Sequence, residues 1–344
     1  MIQPKRILIV RTDRIGDVVL STPVIKNIRL AYPESYIAFL CRPYTKDILV
    51  GNPYLDEVIV YDKYHKDKGI LVSLRFIFKL RKKRFDWAVI LHPTKRVNLM
   101  TFLAAIPLRI GWDKDMGFLL SIKLPHTKNK GEKHELEYNL DLLRKLKVPV
   151  LSKDMFFPLK KAETDFIDKI LAAKGIFHDD LLIIIHSGAS CLSKRWPPGY
   201  FIELIDFLKK RCNPKIAVIS GSDQDGASEM ILKERPYICD LRGFLTLSQL
   251  GSLLKRADIL ISNDSGPVHI SAAVNRPVIS IFGRADPGLS PRRWKPLGEK
   301  SAYCHKDVAC KICLAHRCLK GYICLTSIKP EEILVLAEKL LRKR

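Results

Sequence analysis

The fold is decided by the stretch Ile261-Ser262-Asn263-Asp264-Ser265-Gly266-Pro267-Val268-His269. It follows a strand-like apolar run at 257–261, and a second apolar run follows at 277–283. The succession of strand, polar turn, helix and strand is typical of a parallel α/β sheet, where ligands bind at the carboxyl ends of the strands. The N–H groups that open the helix suit an anion such as a diphosphate. Asp264 and Ser265 are equally good helix caps, so the stretch alone leaves both interpretations open.

A second segment in which a predicted strand ends in a polar loop before a helix lies near the N-terminus. The apolar run Arg6 to Val10 leads into the loop 11–17 and then into a predicted helix over 18–31. Gly16 is the only glycine of the loop, so the dinucleotide fingerprint G-x-G-x-x-G is absent. Asp17 sits where a helix cap or first-turn acid belongs, and a catalytic role would need a partner site.

Strand and helix signals alternate in both halves of the chain, which predicts an α/β fold of two Rossmann-like, doubly wound domains facing each other across a cleft. We expect domains at 1–155 and 156–328, with a closing helix at 329–344 and a breaker-rich linker near 149–158. The predicted strands are 36–40, 58–61, 87–91, 181–186, 215–221, 257–262 and 278–282, and the predicted helices of the second half are 201–211, 227–233 and 248–256.

The composition is strongly basic, with 59 Lys and Arg against 36 Asp and Glu and a net charge of +23. Such a surface attracts polyanions, including nucleic acid, anionic lipid and phosphorylated substrates. No zinc finger, aromatic RNA-binding motif or helix-turn-helix pattern is present, so we expect no specific nucleic-acid partner. No apolar stretch is long enough to span a membrane and no signal peptide precedes the first strand, so we expect a cytoplasmic protein.

Five of the nine cysteines crowd into 304–324. Cys310 and Cys313 have metal-ligand spacing, and Cys318 and Cys324 could complete four thiolates around a structural metal. The second pair is not C-x-x-C, so reduced thiols packing a loop are the alternative.

The segment 69–84 predicts a basic amphipathic helix. Its apolar residues recur at helical spacing beside a basic stripe, Arg75, Lys79, Lys82 and Lys83. Such a helix can lie on an anionic membrane surface. The alternative is an ordinary helix with its apolar face on the sheet; the net charge favours the membrane slightly.

Small and cationic residues open the second half. Ser187, Gly188 and Ala189 follow a strand and allow backbone donors to approach phosphate oxygens, and Lys194 adds positive charge. Asp223 follows the next strand, where an acid can bind ribose hydroxyls, although it could also cap a helix. These residues suggest a nucleotide diphosphate held by the second domain.

With such a donor, Asp17 could act as a general base on an acceptor hydroxyl. Lys194 and the 264–266 turn would stabilise the leaving diphosphate. No D-x-D motif stands in a suitable place, so a metal-free route is expected. His269 could bind phosphate or substrate, although a histidine one turn into a helix is more often structural.

The chain resembles the ADP-heptose:lipopolysaccharide heptosyltransferases of glycosyltransferase family nine over nearly its whole length. The resemblance rests on Ile15-Gly16-Asp17-Val18-Val19-Leu20 with Pro23, Arg109-Ile110-Gly111, His134-Glu135, Lys194-Arg195-Trp196-Pro197, and Asn263 to His269. It implies a GT-B fold and an inverting, metal-independent transfer of heptose from ADP-heptose to the inner core of lipopolysaccharide, with no cofactor required.

The resemblance also implies site roles. Asp17 matches the base of the family. The donor residues of the family match Lys194, Asp264, Ser265, Gly266 and His269, and its ribose-binding acid matches Asp223. The acceptors of the family are anionic and lie on a membrane, so we expect acceptor contacts from Arg11, Arg14 and Arg96 and a peripheral position on the inner face of the cytoplasmic membrane.

Two alternatives remain at this point. The fold could use another nucleotide sugar, or the chain could be a non-catalytic protein that binds anionic lipid or nucleic acid through its charge. Arg11 and Arg14 make the first loop unusually cationic, so donor and acceptor could differ from those of the commonest family members.

Overall fold

The computed structural model describes residues 3–67, 69–221, 226–310, 313 and 318–342. The chain divides into two units. Unit 1 consists of Met1–Lys128 and Glu135–Pro158, and unit 2 consists of Asn129–His134 and Leu159–Arg344. The short segment Asn129–His134 therefore groups with the second half of the chain, which sequence patterns did not indicate.

Unit 1 is built on a sheet that has six strands within the described residues, in the order β3-β2-β1-β4-β5-β6. Every neighbouring pair is parallel. Strand β1 is fully apolar after its first residue and buried, as expected for a central parallel strand covered on both faces. The strands are β1 (Arg6–Val10), β2 (Tyr36–Cys41), β3 (Glu57–Val60), β4 (Trp87–Ile90), β5 (Leu108–Asp113) and β6 (Ile122–Pro125).

The helices of unit 1 are α1 (Ile15–Val19), α2 (Thr22–Ala31), α3 (Ile70–Lys82), α4 (Lys95–Leu103) and α5 (Glu135–Lys145). The prediction of one helix over 18–31 is wrong, because the chain forms two helices there. Pro23 stands in the first turn of α2, where its missing N–H is tolerated but would break a longer helix. The hydroxyls of Ser21 and Thr22 donate to the carbonyls of Asp17 and Val19 and close the end of α1.

Unit 2 repeats the design with a parallel sheet in the order β12-β11-β10-β7-β8-β9 within the described residues. Its strands are β7 (Leu182–His186), β8 (Lys215–Val218), β9 (Cys239–Asp240), β10 (Ile259–Asn263), β11 (Val278–Phe282) and β12 (Ser301–His305). Its helices are α6 (Lys161–Ala173), α7 (Pro198–Cys212), α8 (Gly226–Glu234), α9 (Leu247–Arg256), α10 (Gly266–Ala273), α11 (Pro291–Trp294), α12 (Ile323–Thr326) and α13 (Pro330–Leu341).

A strand is present at each position predicted from an apolar run, although β8 ends at Val218 and β10 begins at Ile259. The three helices predicted for the second half are confirmed, and the closing helix spans Pro330–Leu341. Strands β5, β6, β9 and β12 were not predicted. They carry polar or half-exposed residues, such as Lys123 in β6 and Tyr303 in β12, because they lie toward the edges of their sheets. The apolar signal of a strand weakens where one face is open to solvent.

Each sheet reverses its strand order beside its first strand. In unit 1 the chain runs from β1 outward to β3 and returns to β4, and in unit 2 from β7 outward to β9 and returns to β10. A crevice forms at the carboxyl ends of the two strands flanking such a switch point, and ligands bind there in open α/β sheets. Residues after β1 and β4, and after β7 and β10, therefore define one candidate site in each unit.

No helix in the described part of the chain is long and apolar enough to cross a membrane.

Candidate active site

Asp17 lies at the switch point of unit 1, on the first turn of α1 and just beyond the end of β1. It is 9 % exposed, and its carboxylate accepts a hydrogen bond of 2.5 Å from Arg11 Nη2. The N-cap position of α1 is Arg14, which makes no side-chain capping bond. Asp17 is not the cap of α1; its carboxylate is bound by the buried guanidinium of Arg11.

Arg11 is the centre of a buried ionic network. Its Nε donates to Asp13 at 2.8 Å, and its Nη1 donates to Glu135 and Asn139 of α5, both at 2.9 Å. Lys128 Nζ donates to the same Glu135 carboxylate at 2.7 Å. Since Arg11 is only 1 % exposed, the structure places this predicted acceptor-binding residue in the interior of the unit.

The network sets the protonation of the site. Burial raises the pKa of Asp17 to about 6, the negative charge of Asp13 adds to that rise, and Arg11 opposes it. Burial and the charge of Arg11 lower the pKa of His92 to about 4, so the imidazole that lies 3.1 Å from Asp13 is neutral at pH 7. A buried carboxyl that titrates near neutral pH is the kind of group that general-base catalysis uses.

A cavity of about 360 Å³ opens at the same sheet edge. Thr12, which follows β1, and Arg96, in the first turn of α4, contribute to its wall, and Arg96 Nη1 donates to Tyr61 Oη at 3.1 Å. Lys63 adds a second cation to the lining. Arg14 is exposed at the start of α1. Of the three predicted acceptor-binding arginines, Arg96 thus lines a cavity, Arg14 is on the surface and Arg11 is inside.

In unit 2, Asp264 follows β10 and lies just before α10. One carboxylate oxygen, Oδ2, is 2.7 Å from Lys194 Nζ and 2.9 Å from Arg284 Nη2. Lys194 also donates to the backbone carbonyl of Asp264 at 3.2 Å. All three side chains are largely buried, so this is a desolvated carboxylate held between two cations at a helix N-terminus.

The loop after β7 is fixed by its own polar atoms. The Ser187 hydroxyl bonds to Ser228 of α8 at 2.9 Å, and the Ser187 carbonyl accepts from Asn263 Nδ2 at 2.6 Å. Arg195 donates through Nε and Nη2 to the carbonyl of Ala189 at 3.1 and 3.0 Å. These bonds bring the predicted donor residues of the 187–189 loop and the Asn263 turn to one edge of the sheet.

Two histidines line this edge. His186 Nδ1 lies 2.9 Å from Ser262 Oγ and 3.1 Å from Ser265 Oγ, and Ser265 makes no capping bond to α10. His269, on α10, is 4 % exposed, and its Nδ1 has no hydrogen-bond partner within the described residues. Burial lowers the pKa of His269 to about 4, so this ring is neutral at pH 7.

The last two predictions concern Asp223 and the late cysteines. Asp223 lies outside the described residues. Cys310, Cys313, Cys318 and Cys324 are all free thiols; burial raises the pKa of Cys324, and the other three thiols add to that rise. Among the residues that the structure describes, no group of three or more His, Cys, Asp or Glu side chains is arranged to hold a metal ion.

Sequence reasoning missed three site residues: His92, His186 and Arg284. Each lies at or just beyond the end of a strand, namely β4, β7 and β11. Asp17 and Asp264 were selected because they follow the carboxyl ends of predicted strands, and the same criterion applied to every predicted strand would have found these three residues. Glu135 was quoted as part of a motif, but its contact with Arg11 spans 124 residues and has no local signal.

Comparisons with known proteins identify the family of the chain. Residues 73–323 match the model of glycosyltransferase family 9 (heptosyltransferase). Lipopolysaccharide heptosyltransferase 3 of Escherichia coli strain K12 is 26 % identical over 335 residues, which cover 95 % of each chain.

Solved structures are similar in fold. A family 9 glycosyl transferase from Veillonella parvula has a TM-score of 0.88 at 21 % identity, covering 99 % of this chain and 98 % of that one. The E. coli ADP-heptose LPS heptosyltransferase II has a TM-score of 0.80 at 22 % identity, covering 98 % and 99 %. The GT-B class predicted from the sequence is confirmed. Because the family model matches most of the chain, the chain belongs to glycosyltransferase family 9 and is a glycosyltransferase.

Proposed function

We propose that the chain transfers a heptose from ADP-heptose to the inner core of lipopolysaccharide, with inversion and without a metal. The observation that carries the proposal is the buried Asp17 carboxyl, with a pKa of about 6, at the switch point of unit 1. The family match supports heptosyl transfer, and the names of the relatives in E. coli support ADP-heptose as donor and lipopolysaccharide as acceptor.

In this mechanism Asp17 accepts the proton of the acceptor hydroxyl while that oxygen attacks the anomeric carbon. The bond from that carbon to the ADP oxygen breaks on the opposite face, so one displacement inverts the configuration. Arg11 is a positioning residue, since it fixes the Asp17 carboxylate while Glu135 and Asn139 hold its own guanidinium. A base with a pKa near 6 is mostly ionised at pH 7 and accepts a proton more readily than an ordinary aspartate.

The donor diphosphate is assigned to the edge that carries Lys194, Asp264, Ser265 and Gly266. The helix α10 offers its N-terminus there, and Lys194 brings a cation. His269 is assigned to the same subsite as a neutral hydrogen-bonding group. Ser187, Gly188, Ala189 and Asp223 keep the donor roles expected from the sequence.

The acceptor is assigned to the cavity beside Thr12. Arg96 and Lys63 line it and suit the phosphate and acidic groups of an inner core, and exposed Arg14 extends the positive surface. Arg11 is not assigned to the acceptor, because its guanidinium is enclosed by protein carboxylates.

The test is turnover of ADP-heptose by Asp17→Asn. Loss of general-base help should lower kcat by ~10²–10⁴ while ADP binds as before. Asp141→Asn, which removes a carboxylate from the Arg144 pair on α5, is the matched control and should keep full turnover. Parental turnover by Asp17→Asn would overturn the base assignment. Preference of the wild-type chain for UDP or GDP over ADP in calorimetry would favour another nucleotide sugar as donor.

Metal independence has its own test. Turnover should be unchanged after treatment with a chelator, because Lys194 and the N-terminus of α10 stabilise the leaving diphosphate in this proposal. A loss of turnover that added Mg²⁺ restores would contradict it. Metal analysis of the purified protein decides whether Cys310, Cys313, Cys318 and Cys324 hold a structural metal, which the proposed reaction does not require.

We assign the chain to the cytoplasmic face of the inner membrane, bound peripherally through an apolar surface of unit 1. Ile70 and Leu71 of α3 are 81 % and 74 % exposed, and only Leu80 of that helix is buried. Helix α4, which packs on α3, adds exposed Phe102. Helix α3 also carries the basic residues Arg75, Lys79, Arg81 and Lys82, and apolar and basic residues on one helix suit an anionic lipid surface. The further exposed apolar residues of the surface are Leu74, Phe78, Leu99, Leu103 and Phe118.

Vesicle sedimentation tests this assignment. The chain should bind vesicles rich in phosphatidylglycerol, bind phosphatidylcholine vesicles much less, and lose binding as salt rises. The double variant Leu71→Glu/Leu74→Glu should bind weakly. Val335→Glu, at an exposed position of α13 in unit 2, is the matched control. Equal binding of both variants would exclude this surface.

A further inference from the structure

Arg284 is a buried cation at the donor edge that the proposed reaction has not yet used. It comes two residues after β11, the strand that pairs with β10, and so lies beside Asp264. Its side chain is 7 % exposed, and Nη2 is 2.9 Å from Asp264 Oδ2. Long charged side chains are seldom buried unless they are paired or functional.

The backbone holds Arg284 in place at a conformational cost. Its φ is +47°, in the left-handed region that residues other than glycine avoid. The residue before it, Gly283, passes so close to another loop that an added Cβ would stand 2.5 Å from the Ser193 carbonyl oxygen. The backbone conformation therefore fixes the position of Arg284 beside Asp264.

The charge of the three ion-paired groups depends on Arg284. Lys194 and Asp264 form a pair of zero net charge, which by itself would give a diphosphate little electrostatic attraction. Adding Arg284 gives the triad one surplus positive charge beside the N-terminus of α10. His269 is neutral at pH 7 because burial lowers its pKa to about 4, so it does not replace that charge.

We propose that Arg284, joined to Lys194 through Asp264, supplies the positive charge that binds the donor diphosphate and stabilises it as the leaving group. Lys194 keeps its proposed contact with the diphosphate, and the Asp264 carboxylate orients both cations. The inference rests on the proposed function and adds a binding residue to its donor site. An oriented cation in a dry site needs no reorganisation when the diphosphate gains charge.

The experiment is calorimetry of ADP and of adenosine with Arg284→Gly, Arg284→Lys and Arg211→Gln. Glycine removes the guanidinium and relaxes the positive φ, so the variant should fold, which circular dichroism checks. Its affinity for ADP should fall by about 10- to 100-fold, the usual range for a lost hydrogen bond to a charged group. Its affinity for adenosine, measured by competition, should be unchanged.

The other variants are matched controls. Arg284→Lys should keep most of the ADP affinity because it keeps the charge. Arg211→Gln removes a positive charge from an exposed residue of α7 and should bind ADP like the parent. A folded Arg284→Gly that binds ADP as tightly as the parent, or that loses adenosine affinity equally, would overturn the inference.

The two proposals fail separately. If the wild-type chain prefers UDP, the ADP assignment fails, and the same comparison with UDP and uridine still decides the role of Arg284. If the wild-type chain binds no nucleoside diphosphate, both proposals are overturned.

Discussion

Replacing Asp17 by Asn should make the protein more stable at neutral pH. The pKa of this carboxyl is about 6 instead of the ordinary 3.8, so the folded state binds its proton more tightly than the unfolded state does. The free energy of unfolding therefore falls as pH rises from about 4 to about 6. Above pH 6 Asp17 is ionised in both states, and the full loss of stability from its ionisation is present. At ~1.4 kcal/mol per pH unit, ionised Asp17 costs the fold about 3 kcal/mol.

Asn cannot ionise, so Asp17→Asn should gain up to about 3 kcal/mol at pH 8 and nothing below about pH 4. Urea unfolding at pH 8, 6 and 4, with hydrogen exchange of the β1 amides of the same unit, measures the difference. Asp206→Asn is a matched control for which we expect the opposite change in stability. The hydrogen bond from Arg235 lowers the pKa of Asp206, so ionised Asp206 stabilises the fold and the variant should lose stability at neutral pH.

An Asp17→Asn variant that is less stable than the parent at pH 8 would refute this reasoning. A stability difference that persists unchanged at pH 4 would also refute it, since it could not come from ionisation. We expect Asp17→Asn to lower turnover and to raise the free energy of unfolding, as is common where a catalytic group destabilises the fold.

Three further outcomes follow. Turnover at pH 5 should be about a tenth of that at pH 7, because a base with a pKa near 6 is then mostly protonated; a flat profile would exclude Asp17 as the titrating group. Gly131→Ala should destabilise by ~2 kcal/mol or more in thermal unfolding, since φ is +57° and the new Cβ would lie within 2 Å of the Pro287 carbonyl. Gly175→Ala, with φ +69° and open space, should cost less, and equal costs would contradict the steric argument. Trp196→Phe should cost ~2–4 kcal/mol in urea unfolding, because Trp196 is fully buried and its Nε1 donates to a buried carbonyl; a change below ~0.5 kcal/mol would contradict this.

The central strands of both sheets could be predicted from the sequence. Strands β1, β7, β10 and β11 are buried on both faces, so each appears in the sequence as a mostly apolar run. The succession of runs and turns also placed Asp17 and Asp264 at carboxyl edges. These signals are local, because burial of a whole strand constrains every residue in it.

Only the tertiary structure shows which groups those residues contact. Arg11 looked like a surface cation that binds an anionic acceptor, yet its guanidinium is buried against Glu135, which is 124 residues away. In the sequence Lys194 could be a solvated cation, yet in the structure it shares the Asp264 carboxylate with Arg284, so the three groups carry one surplus positive charge. The charge of an ion-paired site depends on which groups meet, and folding brings them together from distant segments, so no local pattern records it.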